Sequence, residues 1–152
     1  MSRLWLLLFL FCLALQAEDK PKWAYEYHFE LKKDEWAKVY VVPSGNADNE
    51  GTTHKDVYAF RWTLFDGKRV TVLTNYRKFP KQHTLTKTRG LDAVREVLLA
   101  DPSDRIAGRV ELLLVFTDFD QSKKHGNFDI FIKDSNQRVL VEFDDPRRKR
   151  EQ

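Results

Sequence analysis

Trp23-Ala24-Tyr25-Glu26-Tyr27-His28-Phe29-Glu30-Leu31 places a large apolar side chain at every odd position and a small or polar one at every even position. A period of two marks a strand with one buried face, so the rest of the chain must supply a layer that covers that face. Trp36 to Val42 is the next strand, led by Asp34-Glu35 as a tight connection and ended by Pro43. Residues 44–56 concentrate turn formers without a large apolar group and read as a long surface loop.

Val57 to Phe65 and Lys68 to Thr74 flank Asp66-Gly67, a dipeptide suited to a two-residue type I′ hairpin turn. In that register Phe60 faces Leu73, Trp62 faces Thr71 and Leu64 faces Arg69. Asn75 to Gly90 reads as a connection. Leu91, Val94, Val97 and Leu98 recur at helical spacing, with Thr88 as an N-cap and Pro102 beyond the end, which predicts one short amphipathic helix. Val110 to Thr117 is apolar on both faces apart from Glu111 and reads as a central strand covered on both sides. Phe128 to Lys133 and Val139 to Phe143, joined by Asp134-Ser135-Asn136-Gln137, form a closing hairpin. The expected fold is α+β and β-rich: about seven mainly antiparallel strands, as a sheet, sandwich or small barrel, with one short amphipathic helix between strands four and five.

Ahead of this domain, Arg3, the uncharged run Leu4 to Leu15 and the sequence Leu15-Gln16-Ala17 before Glu18-Asp19-Lys20 make the three-part pattern of a cleaved signal peptide over residues 1–17. The run is shorter than the roughly 20 residues a spanning helix needs, so no transmembrane anchor is expected after cleavage. Removal of 17 of the 152 residues leaves 135, with 25 Lys and Arg against 23 Asp and Glu. The only cysteine, Cys12, lies in the apolar run, so the mature chain is cysteine-free, which excludes disulfides, thiolate metal sites and a cysteine nucleophile. An exported domain held by its core alone fits a periplasmic or secreted bacterial protein. Residues 18–146 form a single globular domain by length, and 147–152, with Arg147-Arg148-Lys149-Arg150, a basic disordered tail.

The residues that can carry function are few. No Gly-x-Ser-x-Gly, His-Glu-x-x-His or phosphate-loop pattern occurs, and the expectation is a protein that is not an enzyme and uses no cofactor. Glu26, His28 and Glu30 share one side of the first strand at a spacing of about 6.5–7 Å, which makes them weak metal-ligand candidates beside the plainer reading of a solvated face. Asp118, Asp120, Ser122 and Asp129 match calcium-loop spacing, but Lys123 occupies the position that needs glycine, so a plain strand connection is the better reading.

The sharpest feature is an interval from Asp66 to Asp92 without an acidic side chain between them. It contains Lys68, Arg69, Arg77, Lys78, Lys81, Lys87 and Arg89, interleaved with Tyr76, Phe79 and His83. Cations among flat rings can hold anionic groups by charge and apolar or planar groups by contact. The candidate ligand-binding set is therefore Arg69, Tyr76, Arg77, Lys78, Phe79, Lys81, His83, Lys87 and Arg89. The first functional reading is an exported, non-catalytic binding or adaptor protein of the bacterial cell envelope, with an envelope protein or anionic envelope component as partner and no nucleic acid. An inhibitor of a foreign enzyme, using the 44–56 or 118–127 loops, is a variant of it. A periplasmic carrier of a small apolar ligand, in a β-lined cavity bounded by Trp23, Tyr25, Trp62 and Phe116, is the second reading, and a hydrolase with a site assembled from distant segments is the third.

Overall fold

A computed structural model describes residues 23–44, 55–87, 92–99 and 109–150. Residues 1–17, expected as a signal peptide, the tip of the long loop at 45–54, Arg89 and Leu91 lie outside the described residues. Among the described residues nine strands are present: β1 (Tyr25–Lys32), β2 (Ala37–Pro43), β3 (Asp56–Phe65), β4 (Arg69–Tyr76), β5 (Phe79–Thr86), β6 (Ala93–Leu98), β7 (Val110–Asp120), β8 (His125–Lys133) and β9 (Val139–Asp144). They form two antiparallel sheets, one of order β1-β8-β7-β6 and one of order β5-β4-β3-β2-β9. Aromatic rings from the two inner faces meet directly, with Phe60 of β3 at 5.4 Å from Phe29 of β1 and 5.6 Å from Phe128 of β8. The architecture is thus a two-layer β-sandwich.

Three expectations are corrected. Nine strands replace about seven, because Asn75 to Gly90 contains β5 and Leu91 to Leu98 contains β6. Among the described residues there is no helix between strands four and five of that expectation. Val94 and Leu98 are buried between the sheets while Val97 lies on the outer face, so an edge strand with apolar residues on both faces imitates helical spacing. The β3–β4 register is displaced by one at Phe60, which pairs with Thr74, and at Trp62, which pairs with Val72, and by two at Leu64, which pairs with Thr71 beyond a bulge between Trp62 and Leu64. The two turn residues are Gly67 and Lys68, closed by the Asp66 N–H to Arg69 carbonyl bond at 3.1 Å, and the positive φ of 91° falls on Gly67. Positive φ at the first turn position alone is the type II′ pattern.

A second bulge lies in β7 between Phe116 and Asp118. Each bulge inserts one residue and so reverses the alternation beyond it, which lets Trp62 with Phe65, and Phe116 with Phe119, point inward three residues apart. Phe65 and Phe119 then stack at 4.2 Å and Phe119 meets Trp62 edge-on at 5.5 Å. Trp62 also joins the layers through its Nε1–H, which donates to the Leu31 carbonyl at 2.9 Å. Pro146–Arg150, which overlaps the expected tail at 147–152, is a short helix, α1. Arg147 is held there by Asp145, which is 2% exposed, at 2.8 Å and by the His28 carbonyl at 2.9 Å. Among the described residues no helix is long and apolar enough to cross a membrane.

Candidate functional site: the tip of the β4–β5 hairpin

The hairpin closes on the pair Tyr76 and Phe79, leaving Arg77 and Lys78 as its two turn residues. Both have positive φ, 51° and 67°. Type I′ turns require this at both positions, and glycine or asparagine normally takes them because a Cβ is strained there. The chain instead places two long cations in the strained positions.

What holds the turn is a set of contacts on one side of it. Tyr76 points inward, 7% exposed, with its ring 6.4 Å from Tyr58. Its hydroxyl donates to Asp56 at 3.1 Å and accepts from the Leu99 N–H at 3.1 Å. Arg77 folds back onto the same carboxylate, with Nε and Nη2 both 2.9 Å from Asp56 Oδ2, and lies 5.4 Å from the Tyr76 ring centre. The Asp56 bond holds the Arg77 guanidinium above its ordinary pKa, and burial raises that of the Tyr76 hydroxyl. Lys78 has no ion pair among the described residues, and Phe79 is 71% exposed, more than Leu140, Leu64 or Trp36. The tip therefore displays one free ammonium beside one bare aromatic ring.

Further along β5, Lys81 reaches across the open side of the sandwich to Glu96 at 2.8 Å. His83 shares a 3.2 Å hydrogen bond with Thr74, and burial, with Lys81 nearby, lowers its pKa and favours the neutral ring. Arg69 and Lys87 sit at the opposite end of the hairpin, about 24 Å away along an eight-residue strand. Each is paired there, Arg69 with Asp66 at 2.9 Å and Lys87 with Asp118 at 2.7 Å. The three hydrogen bonds that Asp66 accepts at that turn, first from the Arg69 and Lys68 N–H groups, bring its pKa down to about 2. The basic interval is thus divided: Tyr76, Arg77, Lys78, Phe79 and Lys81 gather at one end, whereas Arg69 lies at the other, where Lys68 and Lys87 border a recess of about 310 Å³ lined by Phe65, Phe116 and Phe119. Arg89 lies outside the described residues. Asp56 and Glu96, which anchor the tip, stand 21 and 15 residues from their partners, so no local sequence signal marks them.

Glu26, His28 and Glu30 do share the outer face of β1, but Glu26 stands opposite Phe131 and different neighbours take the other two. His28 Nδ1 is 2.6 Å from Asp129, and Glu30 is 2.7 Å from His125 Nδ1 and 3.2 Å from Lys123. The His125 bond, ahead of Lys123, holds the Glu30 carboxyl below its usual range. No group of three metal-ligating side chains occurs among the described residues. In the calcium-like spacing, Asp120 caps a turn by accepting from the Ser122 and Lys123 N–H groups, while Asp118 and Asp129 are taken by Lys87 and His28. Of the rings nominated for a cavity wall, Trp62 and Phe116 pack against Phe119 and Phe128, Trp23 packs on Phe131, and Tyr25 donates its hydroxyl to the Val139 carbonyl.

The chain matches no family model, no curated protein and no solved structure.

Proposed function

We propose that the protein is an exported, non-catalytic binding or adaptor protein of the bacterial cell envelope, periplasmic or secreted, that docks an acidic protein surface with the β4–β5 tip. The observation that carries this reading is Phe79, 71% exposed next to Lys78 in a turn whose two non-glycine residues have positive φ. Strained backbone persists where surrounding contacts over-determine it, and it concentrates at binding sites. Burying an aromatic ring on a partner contributes about 1.5–3 kcal/mol, the size of an interface anchor, and the neighbouring cation selects an acidic surround. Inhibition of a foreign enzyme is the case in which that surround is an active-site cleft. The export pattern of residues 1–17 supports the location.

The test is photo-crosslinking in intact bacteria from position 79, with position 64 as the control because Leu64 is also exposed, at 59%. A discrete protein adduct from position 79, absent from 64 and weakened by salt, is the expected result. Identical adducts from both positions, an adduct with lipid alone, or recovery of the protein in the cytoplasm would each overturn the reading.

A further inference from the structure

The outer face of the β1-β8-β7-β6 sheet carries an ordered pattern of charge. Its side chains alternate with the buried Phe29, Phe128, Ile130, Leu112, Leu114 and Val94 and so point away from the core. Read across the strands from β1 to β6, one row is Glu26, Phe131, Leu113 and Arg95. The next row is His28, Asp129, Val115 and Ala93. On the other side, Lys133, Glu111 and Val97 follow one another across β8, β7 and β6. Phe131, Leu113, Val115, Ala93 and Val97 remain half-exposed among the described residues. Glu26 and Lys133 are exposed and have no ion pair among the described residues, and the Arg95 side chain, 65% exposed, makes only a 3.4 Å contact to Glu111.

We propose that this face binds a second copy of the chain about a two-fold axis running along the strands between β8 and β7. Such a rotation keeps strand direction and reverses strand order, so β1 lies over β6 of the other copy and β8 over β7. Glu26 then meets Arg95 of the partner subunit, Phe131 meets Leu113 of the partner subunit, and Lys133 meets Glu111 of the partner subunit. His28 and Asp129, already bonded to each other, lie over Ala93 and Val115 of the partner subunit, where no second charge opposes them. Symmetry makes every one of these pairings twice.

This self-complementarity favours a second copy over another protein. An acid and a cation stand at opposite ends of one row with two apolar residues between them, and an acid and a cation stand side by side in another, each in the position the rotation requires. Sheets that pack face to face keep their strands within about 30° of each other at a separation of about 10 Å, which the same axis provides. The face measures about 19 Å by about 17 Å for four strands of five or six residues. That is small for a protein interface, so a micromolar dimer is the expectation. The two β4–β5 tips would lie on the outward sheets, available to partners in pairs, although the dimer does not depend on that role.

Sedimentation velocity of the exported protein between about 1 and about 300 µM tests it, a range that brackets a micromolar constant. The expected result is a monomer at the low end and a dimer at the high end. Glu26→Arg and Arg95→Glu should each weaken association by about tenfold or more, because each opposes like charges twice, and the two together should return it to within about threefold of the parent. Both positions are exposed, so far-ultraviolet circular dichroism should be unchanged in all three variants. A monomer throughout, a dimer indifferent to the single changes, or a double variant no better than the singles would overturn the proposal.

Discussion

Lys78→Gly should stabilise the fold and weaken binding at the same time. A left-handed conformation costs an ordinary L-residue about 1–2 kcal/mol, and glycine adopts it freely. Glycine also loosens the unfolded chain, which takes back about 0.4–1 kcal/mol. With φ at 67° and no ion pair among the described residues to lose, the change at Lys78 leaves a net gain of about 0.5–1 kcal/mol, or about 2–4 °C in Tm. The companion change Arg77→Gly relieves similar strain but removes both nitrogen contacts to Asp56, worth up to about 1 kcal/mol at this exposure, so its net effect should be near zero. The assay is urea and thermal unfolding of the two variants alongside their affinity for the species crosslinked at position 79. Loss of one exposed cation should lower that affinity about two- to fivefold at low salt and leave it unchanged at high salt. A Tm for Lys78→Gly at or below the parent would refute the strain argument. A raised Tm with undiminished affinity would show that the strained lysine is not there for binding.

Other expectations concern the core and its acid sensitivity. Gly126→Ala puts a Cβ 2.8 Å from Phe128 Cε2 and 3.2 Å from Trp62 Nε1, and should cost about 1–3 kcal/mol in urea titration because both rings are already packed. Trp62→Phe removes the donor to the Leu31 carbonyl and should cost about 1–3 kcal/mol, whereas Trp36→Phe, at an exposed site 4.8 Å from the Arg61 guanidinium, should cost less than about 1 kcal/mol. Asp145 titrates below the usual carboxylate range: burial, the largest influence, raises its pKa, but the Arg147 side chain and N–H and the Tyr27 hydroxyl outweigh it. Its contribution is therefore complete above the unfolded value of about pH 4 and is lost as pH falls through the lower folded value. Asp145→Asn should lower stability by about 1.5–3 kcal/mol at neutral pH and flatten the acid limb of the stability profile, and an unchanged acid limb would show that Asp145 does not set it.

Seven strands were legible because bulky residues alternate regularly along them, most of them buried, as in β1 with Phe29 and Leu31 and in β8 with Phe128, Ile130 and Ile132, while β9 keeps the alternation Val139, Val141 and Phe143 although it buries only Val139 fully. The two that escaped are edge strands, where the physics that writes the pattern is weakest. β5 buries only Leu85 fully, so its sequence is governed by solvent and by the need to blunt an open edge, which Pro80 and Lys81 do, and a reader of periodicity sees a loop. β6 carries Val94 and Leu98 inward and Val97 outward, and apolar residues on both faces of one strand fall by chance at three-residue steps. The β-branched valines were the signal for a strand, but propensity is a weaker guide than period. The same distinction governs the site. The cations of the basic interval were visible, yet their neutralisation was not, because Asp56, Glu96 and Asp118 arrive through pairing across strands and layers. Charge in a sequence therefore nominates a surface, and only the fold decides which cations are left unpaired; among the described residues of the basic interval these include Lys68 and Lys78, and of the two Lys78 stands beside the bare ring of Phe79 at the tip of the hairpin.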